Sequence, residues 1–444
     1  MDFQTYLKKD ILCACGHVHR CDIDTILIEP DALNKLPALL ALEAYHHICI
    51  LEDENTKEVM GEQVEKLVTD TGYKVSRIVL PKDHLLPDEA GIGSVVTELP
   101  VNCDLILAVG SGTINDLGKF VSYKTGIPYM IIATAPSMDG FASNVAAMVT
   151  KKAKETYAAQ MPKAIIADTK LMMDAPMDLI AAGVGDVLGK YVCLTDWKLS
   201  NLLTGEYYCE YVANIVKESV EKVKHAAEVL AEKRDLQSIE ELMEGLVLSG
   251  IAMSYIGNSR PASGSEHHLG HFWEMNFLQF GEHGAYHGTK VGIGTILCLK
   301  MYKWLADEDI ELLAQGDYSF DREAWGKDIE HIYKLAATKV IALEDSGKKN
   351  SVEKRNVRMK NLITQQEEVM ALIHALPEAE DVKRLMENLG APVYPSQIDV
   401  TDENVINACV YAKELRERVG LLQVLHDLGL AKSYGERVIR EFCK

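Results

Sequence analysis

The sequence has no apolar run of 18 residues and no hydrophobic region of the signal-peptide kind, so it is expected neither to span a membrane nor to be exported. It also lacks basic excess. Against 66 Asp and Glu stand 46 Lys and Arg, a formal charge of −20, which excludes a surface built for nucleic acid or a stable anchor on anionic lipid. An anionic substrate would need a local cationic pocket or a metal. The ten cysteines are spread thinly, and no second pair stands at finger spacing from Cys13-Ala-Cys15-Gly-His17-Val-His19-Arg-Cys21. That cluster therefore reads as a hairpin with incidental thiols in a reduced, cytoplasmic protein. No internal repeat, low-complexity tract or long charged tail occurs. What is present is 48% hydrophobic and 25% charged residues over 444 positions, enough for a large core and suited to two domains.

From Thr25 to Asp168, short β-branched runs alternate with helical patterns, as in a parallel sheet covered by helices. Strands are expected at 25 to 29, 47 to 51, 74 to 80, 104 to 110, 127 to 135 and 162 to 168. Helices are expected at 30 to 44 and 56 to 71. Beyond Asp168 the strand pattern stops, and helices are expected over about 205 to 233, 236 to 257, 265 to 278, 287 to 305, 321 to 343, 352 to 375, 379 to 389, 402 to 417 and 420 to 429. The fold class that follows is an α/β dinucleotide-binding domain with a mostly parallel sheet over 1 to 172, then an all-α domain over 173 to 444.

Chemistry-bearing residues concentrate in three places. Residues 258 to 295 hold five of the 14 histidines: His267, His268, His271, His283 and His287. S-G-S-E before an apolar-periodic run marks a helix start, which puts His267 and His271 one turn apart on one face. His287 opens another helix beyond a glycine-rich loop. Imidazoles from two helices suit a divalent first-row cation, although a buried histidine is often only a hydrogen-bonded core residue. Asp186 lies in the apolar stretch A-A-G-V-G-D-V-L-G-K; a buried carboxylate needs a partner, so it is either a third metal ligand or half of a buried ion pair. The strand ending at Gly110 runs into G-S-G-T-I-N-D-L-G-K, where Gly110 and Gly112 allow close approach and free helix N–H groups favour an anion. Taken alone, such a stretch is more often a plain tight turn, because Asn115 replaces the last glycine of the dinucleotide fingerprint. Asp53 follows the second strand, where a carboxylate can hold an adenosine ribose; a solvated loop residue is the alternative.

Taken together, G-S-G-T-I-N-D-L-G-K, A-G-V-G-D, S-E-H-H-L-G-H and Y-H-G-T-K-V-G-I-G-T resemble the superfamily of dehydroquinate synthases, glycerol dehydrogenases and iron-dependent alcohol dehydrogenases. With T-A-P-S-M-D-G and R-P-A-S-G-S-E-H added, the likeness is strongest to the sn-glycerol-1-phosphate dehydrogenases, over residues from about 12 to 430. The resemblance implies a metal-dependent reduction of dihydroxyacetone phosphate by NADH or NADPH, with dehydrogenation of an unphosphorylated polyol such as glycerol as the alternative. It implies Asp186, His267 and His287 as metal ligands, and His271 facing substrate. Asp139 is implied as a substrate contact and Arg260 as the first cation for the phosphate; Lys154 is a weaker second candidate, and a solvated surface role is the alternative for both. Gly112, Thr113, Ile114, Asn115 and Asp116 fall on the phosphate loop, and Thr134, Ser137 and Ser143 near the nicotinamide. Asp53 falls near the adenosine position and favours NAD, since a carboxylate repels a 2′-phosphate. The donor set accepts Zn²⁺ or Ni²⁺ first, with Fe²⁺ or Co²⁺ also fitting. A homodimer or larger homo-oligomer is implied as well.

Overall fold

The computed structural model describes residues 1–83, 85–282 and 284–442, which form two compact units. Unit 1 comprises Met1–Thr150, Lys154–Val187 and Tyr211–Ser259; unit 2 comprises Lys151–Ala153, Leu188–Glu210 and Arg260–Lys444.

Unit 1 is built on six strands: β1 (Thr25–Glu29), β2 (His47–Asp53), β3 (Lys74–Leu80), β4 (Leu105–Gly110), β5 (Tyr129–Ala133) and β6 (Ala164–Asp168). All pair in parallel, in the order β1-β6-β5-β4-β2-β3. The central strands are buried on both faces, which is why they read as unbroken apolar runs rather than alternating ones. Ile48, Ile50, Leu105, Leu107, Val109, Ile132 and Ile166 form one side of a core closed by Leu33, Leu36, Val64 and Val68. After β2 the chain moves outward to β3, and after β4 it moves the other way to β5. The order therefore reverses between β2 and β4, and the carboxyl ends of these two strands are where open parallel sheets generally bind ligands. Asp53 ends β2, and Gly110 ends β4 before helix α1 (Gly112–Thr125).

The chain departs from its sequence pattern in several places. The expected helix over 30 to 44 is a 3-10 turn, Ala32–Lys35, running into Leu36–Leu40. The next one carries a π turn at Lys57–Gly61. A two-stranded sheet, Val145–Thr150 with Ala153–Ala158, was not expected. Its connection is made by Lys151 and Lys152 at φ 51° and 60°, a left-handed turn without the Asn-Gly signature that would announce it. Four helices complete what the site needs: α2 (Met177–Leu188), α3 (Lys190–Thr204), α4 (Glu210–Glu232) and α5 (Leu236–Ile256).

Unit 2 is helical. Helices α6 (Ser265–Phe280) and α7 (His287–Ala306) pack together, with Gly294 of α7 so close to α6 that a Cβ there would sit 2.5 Å from the Glu266 carbonyl oxygen. The long patterns at 321 to 343 and 352 to 375 are each broken in two, at Lys334–Ala336 and at Gln365, and a last helix, Ala431–Glu441, follows them. Among the described residues no helix is long and apolar enough to cross a membrane.

Candidate active site

Unit 1 carries the glycine turn from β4 into α1. A Cβ on Gly110 would lie 2.5 Å from that of Ile114, so only glycine lets the strand turn directly into α1. Ser111, the residue capping α1, makes no side-chain bond to the helix N–H groups, which leaves the first turn open to an anion. Its hydroxyl instead bonds Ser137, tying the loop after β5 to the start of α1. Thr134 N donates to Gly110 O at 3.1 Å. Asn115 is buried, with Oδ1 accepting from Tyr129 at 3.4 Å. Burial pushes the Asp116 carboxyl up, and Lys119 and Lys154 pull it back. Asp53 is the N-cap of the turn after β2: Oδ1 accepts from Thr56 N at 2.9 Å, and Thr56 Oγ1 accepts from Asp53 N at 3.0 Å.

The loop T-A-P-S-M-D-G is clamped from two sides by glycines. On α2, a Cβ at Gly183 would meet Pro136 O at 1.9 Å; on α5, one at Gly250 would meet Asp139 O at 2.9 Å. That close approach lets Asp139 N donate to Asp186 Oδ2 at 3.0 Å, while Ser249 Oγ donates to Asp139 Oδ2 at 2.8 Å. Asp186 is fully buried. Behind the loop lies Lys119, also fully buried, whose Nζ donates to Gly140 O at 2.5 Å, Ser143 Oγ at 3.1 Å and Val145 O at 3.2 Å. Burial holds the Lys119 ammonium below its usual range. Ser143 is thus engaged with Lys119. Lys119, Ser249 and Gly250 were missed in the sequence, where nothing relates them to Asp139 except the fold.

In unit 2 the imidazoles of His267, His271 and His287 gather, with ring centroids 5.9 Å (267 to 271), 5.4 Å (267 to 287) and 5.3 Å (271 to 287) apart. His267 Nδ1 lies 2.6 Å from Glu266 Oε1, and His287 Nδ1 lies 3.0 Å from Glu274 Oε1. A carboxylate only accepts, so each Nδ1 carries the proton and each Nε2 keeps its lone pair. Asp196 fixes the start of α6, accepting from Ser265 N at 2.7 Å and from Leu421 N at 2.9 Å. His268 is buried away from this group, and burial drives its pKa well down. His283 lies outside the described residues.

Arg260 is 3% exposed, and its guanidinium pairs with Glu206 through Nε at 2.8 Å and Nη2 at 3.1 Å. Nη2 also donates to Asp196 O and Val419 O. Any phosphate at Arg260 competes with Glu206.

Each unit by itself has the features of an alcohol dehydrogenase class: a parallel-sheet domain with a glycine turn opening a helix, and helices bearing imidazoles held by carboxylates. Residues 27–176 match the model of the iron-containing alcohol dehydrogenase family. Solved structures with this architecture include glycerol dehydrogenase from Schizosaccharomyces pombe (TM-score 0.60, 15% identity, 94% of this chain and 91% of that one) and NADH-dependent butanol dehydrogenase A from Thermotoga maritima (TM-score 0.59, 13% identity, 94% and 98%). This is the dehydroquinate synthase-like fold. Among curated proteins, glycerol-1-phosphate dehydrogenase [NAD(P)+] from Halalkalibacterium halodurans is 36% identical over 94% of this chain and 95% of its own length; the one from Bacillus licheniformis is 31% identical over 97% and 96%. The chain belongs to the glycerol-1-phosphate dehydrogenase family.

Proposed function

We propose that the chain reduces dihydroxyacetone phosphate to sn-glycerol 1-phosphate with NADH or NADPH, as a metal-dependent oxidoreductase. The observation that carries this reading is the imidazole pair of α6 and α7. His267 and His287 are oriented through Nδ1 by Glu266 and Glu274, which leaves both Nε2 atoms as donors. Asp186, fully buried on α2, is the proposed third ligand. Within unit 2, ligand atoms of His271, Glu274 and His287 also lie within 4.8 Å of one another. Glu274, however, already holds His287 Nδ1 and pairs with Lys290 at 3.3 Å, so it serves as the orienting carboxylate. One carboxylate and two neutral imidazoles fit a divalent cation, Zn²⁺ or Ni²⁺ first, and keep the site net positive for an anionic substrate.

When bound, the cation supplies Lewis-acid polarisation of the ketone and the nicotinamide supplies hydride. The first turn of α1, at Gly112 to Asp116, receives the cofactor phosphates, and Asp53 the adenosine ribose, which favours NAD. Thr134 and Ser137 support the nicotinamide end, and Ser143 supports their loop. Asp139 orients Asp186 through its backbone N–H and contacts substrate through its carboxylate. His271, stacked on His287, moves a proton to the substrate oxygen. Arg260 is the first cation for the phosphate and Lys154 the second. A cytoplasmic homodimer or larger homo-oligomer completes the proposal.

The test is oxidation of NADH and of NADPH with dihydroxyacetone phosphate against dihydroxyacetone, before and after chelation and with each metal restored. The phosphorylated ketone should be strongly preferred, activity should vanish on chelation, and chiral analysis should return the sn-1 product. Equal turnover of both ketones would overturn the phosphate reading.

A further inference from the structure

Helices α6 and α7 carry more metal-binding capacity than one cation needs. His267, His271 and Glu274 recur at helical spacing on α6, and His287 and Lys290 stand one turn apart on α7. The two helices come close at Gly270, where a Cβ would lie 3.5 Å from that of Lys290. This approach lays the lysine stem along α6 and leaves Lys290 only 2% exposed. Its Nζ stands 3.3 Å from Glu274 Oε1, the same oxygen that accepts from His287 Nδ1 at 3.0 Å, and 6.0 Å from the centre of the Phe277 ring. The buried ammonium is thus held between a carboxylate and an aromatic face. Around Glu274, ligand atoms of His271, Glu274 and His287 share one small volume. One carboxylate and two imidazoles repeat the donor chemistry of the set at 186, 267 and 287, so donor type does not direct a divalent cation to one of them. With metal–donor bonds of about 2.1 Å, neighbouring donors of a tetrahedron stand about 3.4 Å apart. Glu274 Oε1 and His287 Nδ1, 3.0 Å apart, are already close to that spacing. A cation bound there would take the carboxylate that orients His287 and draw His271 into the metal shell.

We infer that Lys290 is a positioning residue that closes the His271, Glu274 and His287 donor set to metal, and so keeps the cation on His267 and His287 and His271 outside the metal shell. The inference rests on the proposed ligand set, since closing one position matters only if the cation belongs at the other. A carboxylate already neutralised by an ammonium has little attraction left for a divalent cation, and the ammonium itself repels the incoming charge at short range in a site from which water is excluded. The proton on His287 Nδ1 closes the set further, because a ligand nitrogen must first lose it. Glu274 is thereby confined to orienting His287.

The experiment measures Ni²⁺ affinity of the full-length chain, dialysed free of metal, by competition with a calibrated chelator, so it reads where the cation sits without any turnover. His267→Ala should weaken Ni²⁺ binding by more than about 100-fold, beyond the loss of an outer-shell partner. Adding Lys290→Met should recover about 10-fold or more of that loss by opening the second donor set. The recovered affinity should disappear again when His271→Ala or Glu274→Gln is combined with the pair. Lys290→Arg keeps the cation beside Glu274 and should recover nothing, whereas a lysine that merely filled space would leave the methionine and arginine variants alike. Lys290→Gln repeats the measurement if the methionine variant does not fold. No recovery on removing the lysine charge, or a recovery that survives His271→Ala, overturns the inference and leaves the proposed ligand set standing. Full Ni²⁺ affinity in His267→Ala alone, with Lys290 in place, overturns both.

Discussion

At the scale of single residues, the orienting carboxylates matter as much as the ligands. Glu266→Gln keeps the size of the side chain but weakens the charge-assisted bond to His267 Nδ1, 2.6 Å long in the folded chain. Metal affinity should fall by about 10- to 100-fold, read by competition with a calibrated chelator; an unchanged affinity would mean that His267 is not oriented this way. For Arg260→Ala, loss of the buried partner of Glu206 should lower stability by about 3 kcal/mol in urea unfolding. If Arg260 also reaches the substrate, KM should rise for dihydroxyacetone phosphate more than for dihydroxyacetone. An equal change in both would leave Arg260 a purely internal cation. Motif spacing brought out the three histidines of α6 and α7 because 267 and 271 share a face by periodicity. Glu274 continues that stripe and could have been found the same way. Lys119 could not: its partners, Gly140 O, Ser143 and Val145 O, are 21 to 26 positions away and are brought to it by the parallel sheet.

At the scale of elements, the six strands were legible because fully buried parallel strands are continuous apolar runs bounded by polar turns. Helix ends and breaks were not, since Lys334 and Lys348 adopt φ of 46° and 48° that no local sequence rule favours. The Val145–Ala158 strands failed for the same reason at Lys151 and Lys152. Two element-level predictions follow from close packing and capping. Gly183→Ala would drive a methyl group into Pro136 O, 1.9 Å from the new Cβ. The helix must shift, at a cost of about 1 to 3 kcal/mol, and Asp186 shifts with it, so metal content should fall along with thermal stability. A variant that loses stability but keeps full metal would uncouple α2 from the metal. Asp53→Asn retains a capping side chain for the Thr56 N–H while removing the charge. The ratio of NADPH to NADH activity should rise several-fold with little change in melting temperature. A ratio that does not move would place the adenosine end elsewhere.

At the scale of the whole molecule, a chain with formal charge −20 still buries cations, and the way it does so sets its acid tolerance. In unit 2, Lys413 Nζ bonds Asn350 Oδ1 at 2.8 Å and the Glu414 carboxylate, while Lys349 Nζ stands 3.6 Å from Glu414 Oε2. Burial pushes the Glu414 carboxyl up, but Lys413 and Lys349 outweigh it and hold the group at about 2. Burial lowers Lys349 to about 8, against the pull of Glu414. A folded-state carboxyl below its unfolded value binds fewer protons than the unfolded chain does, so its contribution is complete above the unfolded pKa and is lost as pH falls towards the folded one. For Glu414 that window runs from about 4.5 down to about 2, and the contribution is on the order of 3 kcal/mol. Glu414→Gln should therefore be less stable than the unaltered chain at pH 7 by about that amount, measured as a urea midpoint. The gap should hold to pH 5, then narrow steadily below about 4.5 as the unaltered chain takes up the proton the variant never needs. A gap that stays constant to pH 3 would show that the amide's geometry, rather than the missing charge between two buried ammonium groups, accounts for the loss.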